Sequence, residues 1–134
     1  MKIKNLTPHA ICIFTASQCV EQKKGNYTTL VLNNGEKPIL TIAPEKEIAR
    51  VSSKTIYTDP IEINGVSIPQ SKIVFGEVEG LPVELEKDTL YIVSSITANA
   101  FKANGHDTTQ LRLVADTIRN DQGQIVGALS LAEV

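Results

Sequence analysis

The sequence predicts a mainly β (β+α) single domain spanning residues 1–134, a barrel or sandwich of about eight short strands with one helix near residues 95–104. Three observations predict it. Short segments rich in Ile, Val, Thr, Tyr and Leu recur along the chain. Turn signals such as Asn34-Gly35, Asn64-Gly65 and "NDQG" separate them at short intervals. Only "LYIVSSITANAFKANG" changes from a strand period to a helical one. A chain of 134 residues fits one ordinary domain with one core.

The elements follow in order. "KIKNL" and "HAICIF" read as strand pieces either side of a sharp bend at Thr7-Pro8, because proline fixes φ and removes a ladder donor. "YTTLVLNNGEKPILTI" reads as a hairpin, Thr28 to Leu32 out and Ile39 to Ile42 back, turning on Asn34-Gly35. "EIARVSS" is a further strand. In "PIEINGVSIP" the two-residue loop Asn64-Gly65 favours a type I′ turn, with Pro60 and Pro69 closing the hairpin at both ends. "KIVFGEV" is a strand whose Gly76 marks a bulge or a close backbone approach, and "EGLPVELEKDT" is an acidic loop.

Leu90 to Val93 forms an apolar strand, after which Ser94 or Ser95 caps a helix burying Ile96, Ala100 and Phe101 and ending at Gly105. Asn99 and Lys102 share its polar side. "QLRLVADTIRNDQGQIVGALSL" completes the chain as two strands around "NDQG". With three Phe, three Tyr and no Trp, the core is expected to be aliphatic. Exposed sheet edges are a hazard for such a chain, and a homo-oligomer is one common way to manage them.

Composition narrows the function. The formal charge of −2 disfavours a sequence-independent grip on a nucleic acid backbone. Eight basic and four acidic residues precede Asp59, whereas five basic and eleven acidic residues lie from Asp59 onward. Such asymmetry either brings parts of two subunits together or marks two differently solvated faces. The two cysteines, Cys12 and Cys19, make no disulfide framework and read as reduced. No metal-ligand motif and no cofactor motif is present, no stretch reaches a membrane span, and a cytoplasmic location is the default expectation.

Candidate chemistry rests on scattered polar residues in apolar surroundings: Asn5, Thr7, His9, Arg50, Ser94, Asn99 and Arg119. His9 is either a general base or a turn residue. Arg50 faces solvent or holds a phosphate or carboxylate in a polar pocket. Asp116 and Asp121 flank "TIRN" and could orient Arg119, while Glu77 and Glu79 read as solvent-facing. His106, just past the helix end, reads as a solvated loop residue. Neutral hydrogen-bonding groups around one or two arginines suit a small anionic, nucleotide-like ligand.

Taken together, "KNLTPHAICIF", "EIARVSS", "GEVEGLP" before "TLYIVSSITANA", and "TIRNDQGQIVGALSL" resemble a family of small phage, prophage and bacterial proteins marked by an N-terminal N-L-T-P-H. Where that family pattern has an acid after V-R, this chain has Asn120, with Asp121 one place later. The resemblance implies no established activity but does imply a phage context, and hence the host cytoplasm. In that context it suggests a non-catalytic, oligomeric sponge, similar in role to the anti-Thoeris and anti-CBASS proteins, that sequesters a cyclic nucleotide or ADP-ribose derivative. His9 would then meet a base, the arginines would hold phosphates, and Asn5, Thr7 and Asn99 would read ribose or base edges. The rivals are a small phosphodiesterase or hydrolase using His9 with Arg50, and a protein-binding inhibitor or virion accessory protein.

Overall fold

The computed structural model describes residues 1–82 and 84–134. The strands of the first half are β1 (Lys2–Asn5), β2 (Ile11–Ile13), β3 (Cys19–Lys24), β4 (Tyr27–Leu32) and β5 (Leu40–Ile42). Then come β6 (Arg50–Ile63), β7 (Val66–Glu79), β8 (Thr89–Ile92), the helix α1 (Ser95–Ala103), β9 (Leu111–Arg119) and β10 (Ile125–Glu133).

Six strands run side by side in the order β1-β8-β9-β10-β2-β5. A parallel bridge from Asn5 to Pro44, just beyond β5, brings the last strand back to the first and leaves a nearly closed barrel. Its interior is aliphatic. Ile3, Ile11, Ile42, Ile92, Val114 and Leu131 supply one side chain from each of the six strands, with Ile13 beside them. Period two sends the neighbours of Ile92 the other way, so Tyr91 and Val93 join Leu6, Leu111 and Ala98 in a second cluster under α1. β8 is therefore covered on both faces, as its unbroken apolar sequence requires.

Helix α1 starts where Ser94 Oγ accepts from the Thr97 amide at 3.3 Å, and Gly105, at φ +82°, follows its end. The helix buries Thr97, Ala98 and Ala100, while Ile96, expected inside, is 52% exposed. Ala98 packs into the cluster on the barrel, while Ala100 and Ala103 lie beside Val74 and Phe75 of β7.

The remaining strands form two outgrowths. β3 and β4 pair as a hairpin whose outgoing end, at Leu30 and Val31, joins β9 in parallel. β6 and β7 form a separate two-stranded sheet, a long arm turning at Asn64 and Gly65, both in the left-handed region. Gly76 sits at a bulge near its foot, where a Cβ would collide with the Ser52 hydroxyl.

Two expectations are corrected. β4 and β5 do not pair with each other: β5 lies antiparallel to β2, and the return partner of β4 is the polar strand β3, which carries no hydrophobic alternation to announce it. The segments around "EIARVSS", "PIEINGVSIP" and "KIVFGEV" are not separate. They merge into one hairpin that runs through Pro60 and Pro69, which is tolerated because neither outer edge needs a donor. The described residues form ten strands and one α-helix, a mainly β fold as the sequence predicts. Of the acidic loop read after Gly80, Val83 lies outside the described residues.

Candidate ligand-binding site

The N-L-T-P-H segment is built as a clamp. Asn5 is fully buried, and its Nδ2 donates to the carbonyls of His9 (2.8 Å) and Ile42 (3.1 Å). Its Oδ1 accepts from the Thr7 amide (3.0 Å) and the Thr7 hydroxyl (2.6 Å). All four hydrogen-bonding positions of the amide are used within the chain. Pro8 sets the bend, Thr7 Oγ1 also lies 3.1 Å from the His9 carbonyl, and the whole turn is tied to the end of β5 where the barrel closes. Asn5 and Thr7 therefore hold the fold at this point.

His9 shares the turn through its backbone, while its side chain is exposed beside a shallow groove lined by Ile11, Cys12, Val114, Ile125 and Gly127. Arg50 is exposed at the foot of the arm, opposite Glu79 and beside Lys46, Glu47 and Gly80. Ser94 caps α1, donating to Thr97 Oγ1 at 2.9 Å. Asn99 lies on the exposed side of α1 against Val74, Phe75 and Gly76 of β7. The candidates are thus divided: Asn5, Thr7 and His9 come together, whereas Arg50, Asn99 and Arg119 line three further clefts.

Arg119 has the most developed surroundings. It lines a cleft of about 500 Å³ between β4 and β9, together with Glu21, Thr28, Thr29, Asp116 and Thr117. Its Nη1 donates to the Gly123 carbonyl at 2.7 Å, which fixes the guanidinium and leaves its other donors free of that bond. Neither Asp116 nor Asp121 orients it, contrary to expectation. Asp116 instead accepts from the Ser130 hydroxyl at 2.6 Å and stands at φ +49° within β9. An aspartate in the left-handed region inside a strand is an outlier of the kind found at functional sites. At the adjoining turn Asn120 Oδ1 accepts from the amides of Gln122 and Gln124, at 3.0 and 2.9 Å. An acid could accept those same two bonds, but it could not replace the bond that Asn120 Nδ2 donates to Gln124 Oε1 at 3.1 Å.

Two groups escaped the sequence reading. Glu21 and Thr28 come from the β3–β4 hairpin, and only the non-local pairing of β4 with β9 brings them to Arg119. His106 stacks on Phe101 with ring centroids 4.5 Å apart, beside Glu77 and Asn104. Its position directly after a helix end hid that contact, because helix C-termini fold back on their own last turn. The Cys19 thiol is held above its ordinary pKa by burial first and by Glu36 second, which keeps it protonated.

Among the described residues no group of three metal-ligating side chains converges, and no helix is long and apolar enough to cross a membrane. Comparison of the chain with models of protein families, with curated proteins and with solved structures finds no match.

Proposed function

We propose that the protein is a non-catalytic binder that sequesters a small anionic, nucleotide-derived ligand, in role similar to phage sponges. The observation that carries this reading is the polar cleft between β4 and β9. There a fixed arginine shares a space of about 500 Å³ with Thr28, Thr29, Thr117, Glu21 and Asp116. Phosphate oxygens suit Arg119 and the threonines, while ribose hydroxyls or a base amine suit Glu21 and Asp116. Asn5 and Thr7 take no part, since their polar atoms are already bonded within the chain. The hydrolase reading asks one site to contain both His9 and Arg50, and these side chains line different clefts.

Equilibrium binding to cyclic di- and trinucleotides and to cyclic ADP-ribose isomers, followed by mass spectrometry of the ligand after heat denaturation, tests the proposal. An intact ligand is expected, with affinity lowered about 10- to 100-fold in Arg119→Met. If every candidate stays free the proposal fails, and a ligand of changed mass transfers the reading to a hydrolase.

A further inference from the structure

The β6–β7 arm poses a separate question. Two 14-residue strands, extending roughly 45 Å at about 3.3 Å per residue, pair only with each other. A lone two-stranded hairpin is marginal in water at best. Yet nine of the sixteen exposed large hydrophobics among the described residues lie on it. At the tip Ile61 faces Ile68 and Ile63 faces Val66 two residues further on, so four branched aliphatics form one patch on one face. β7 carries no extra residue between Val66 and Val74, so that face continues through Lys72 and Val74, with Ile56 opposite Lys72.

Total surface gives the size of what is missing. A folded monomer of 14.6 kDa is expected to expose roughly 6,900 Å². This chain exposes 9571 Å², about 2,700 Å² more. A standard interface covers about 800 Å² per partner, and obligate homodimers cover up to about 2,500 Å² per partner. The excess belongs to the whole chain, and it is more than a standard contact covers.

Charge and proline placement say how. Lys54, opposite Val74, and Lys72, opposite Ile56, lie on the patch face below the apolar tip, whereas Glu62, opposite Ser67, points to the other face. Two arms laid parallel set the lysines of one against those of the other, whereas two laid antiparallel about a two-fold axis keep them apart and let their apolar stems cover the partner's tip. Pro60 on one strand and Pro69 on the other each remove an amide donor, which disfavours ladder growth along either edge. The faces remain.

We propose that the β6–β7 arm is a dimerisation arm whose occupant is the same arm of a second copy of this chain. The two arms pack face to face and antiparallel, with the Ile61, Ile63, Val66, Ile68 patch of each against Ile56 and Val74 of the other. The contact is isologous, so one surface serves both subunits.

Sedimentation of the full chain across a concentration series tests this. The expected species is a dimer at twice the 14.6 kDa chain mass. Ile61→Ser with Ile68→Ser is expected to raise the dimer dissociation constant by on the order of a hundredfold or more, with an unchanged far-UV spectrum. A second set does not rely on core-like substitutions. Val66→Lys, at an exposed position of the patch, should abolish the dimer by setting an unpaired charge in the contact, whereas Glu62→Lys, on the opposite face, should leave it unchanged. A monomer at every concentration overturns the proposal, as does a dimer indifferent to the Ile61, Ile68 and Val66 substitutions. So does a monomer whose arm is covered only by a different protein. None of these outcomes depends on ligand binding at Arg119.

Discussion

Replacing Asn5 with alanine separates a structural amide from a ligand-reading one. The variant removes four hydrogen bonds at once: the buried one to Ile42, and three partly buried ones to His9 and Thr7. Leaving the buried carbonyl unpaired costs about 1–3 kcal/mol, and each of the partly buried bonds about 0.5–1 kcal/mol. The sum is about 2.5–6 kcal/mol, from a total stability of about 5–15 kcal/mol for a domain of this kind. For a chain of this length that lowers the melting temperature by about 10–20 °C. Urea unfolding followed by circular dichroism measures the loss, with the slope of the transition unchanged. Asn5→Asp sharpens the test: it keeps the two accepting positions but points a buried carboxylate at the His9 and Ile42 carbonyls. Burial raises the pKa of that carboxyl in the folded state, so its penalty is largest at neutral pH and shrinks as the pH falls below it. A loss below about 1 kcal/mol in Asn5→Ala, together with abolished ligand binding in the folded variant, would refute the clamp.

Three further outcomes are expected. Gly127→Ala places a Cβ against the Phe14 ring and 2.6 Å from the Cys12 carbonyl, so it should destabilise the β2–β10 seam by about 1–3 kcal/mol in the same unfolding assay. At Asp116, glycine accepts the φ of +49° and valine resists it, so Asp116→Val should be less stable than Asp116→Gly by about 1–2 kcal/mol; equal stabilities would show that the conformation is unstrained. The 3.1 Å hydrogen bond from Lys4 holds the Glu86 carboxyl below its ordinary pKa of 4.5. Its contribution is complete above that ordinary value and is lost as pH falls through the lower folded-state value. Glu86→Gln should therefore flatten the acid limb of a stability profile below about pH 5 and leave the rest unchanged.

What could be read from the sequence was what neighbouring residues decide. Asn64-Gly65 forms its tight turn, "NDQG" joins β9 to β10, Ser94 caps α1, and Gly76 sits at a bulge. The pairings of β1 with β8, β10 with β2 and β4 with β9 are parallel and join distant segments, and no local signal carries them. The strand β3 was invisible because five of its six residues, from Val20 to Lys24, are exposed on a hairpin held by its partner rather than by the core. The candidate site divides in the same way. The closeness of Asn5, Thr7 and His9 is local and was legible, but whether a buried asparagine serves a ligand or a turn depends on Ile42, 37 residues away. Arg119 could be singled out alone, whereas Glu21, Thr28 and Thr29 reach it only through the β4–β9 pairing.

The composition itself is explained by the arm. A hydrophobic content of 42% is that of an ordinary globular domain, which normally has one core to absorb it. Here a six-stranded barrel takes one aliphatic side chain from each strand into its interior and a second small cluster under the helix, and much of the remaining apolar surface is carried outward on β6 and β7. An arm with that surface and no third strand is stable in proportion to what covers it. Covering it with a second copy brings the exposed area per chain back towards that of a compact domain. The Arg119 cleft lies on β4 and β9, which make no ladder with the arm, so dimer formation and ligand capture can be disrupted one at a time. A dimer-deficient variant that still binds ligand, and an Arg119→Met variant that still dimerises, are the pair of results that this division of labour requires.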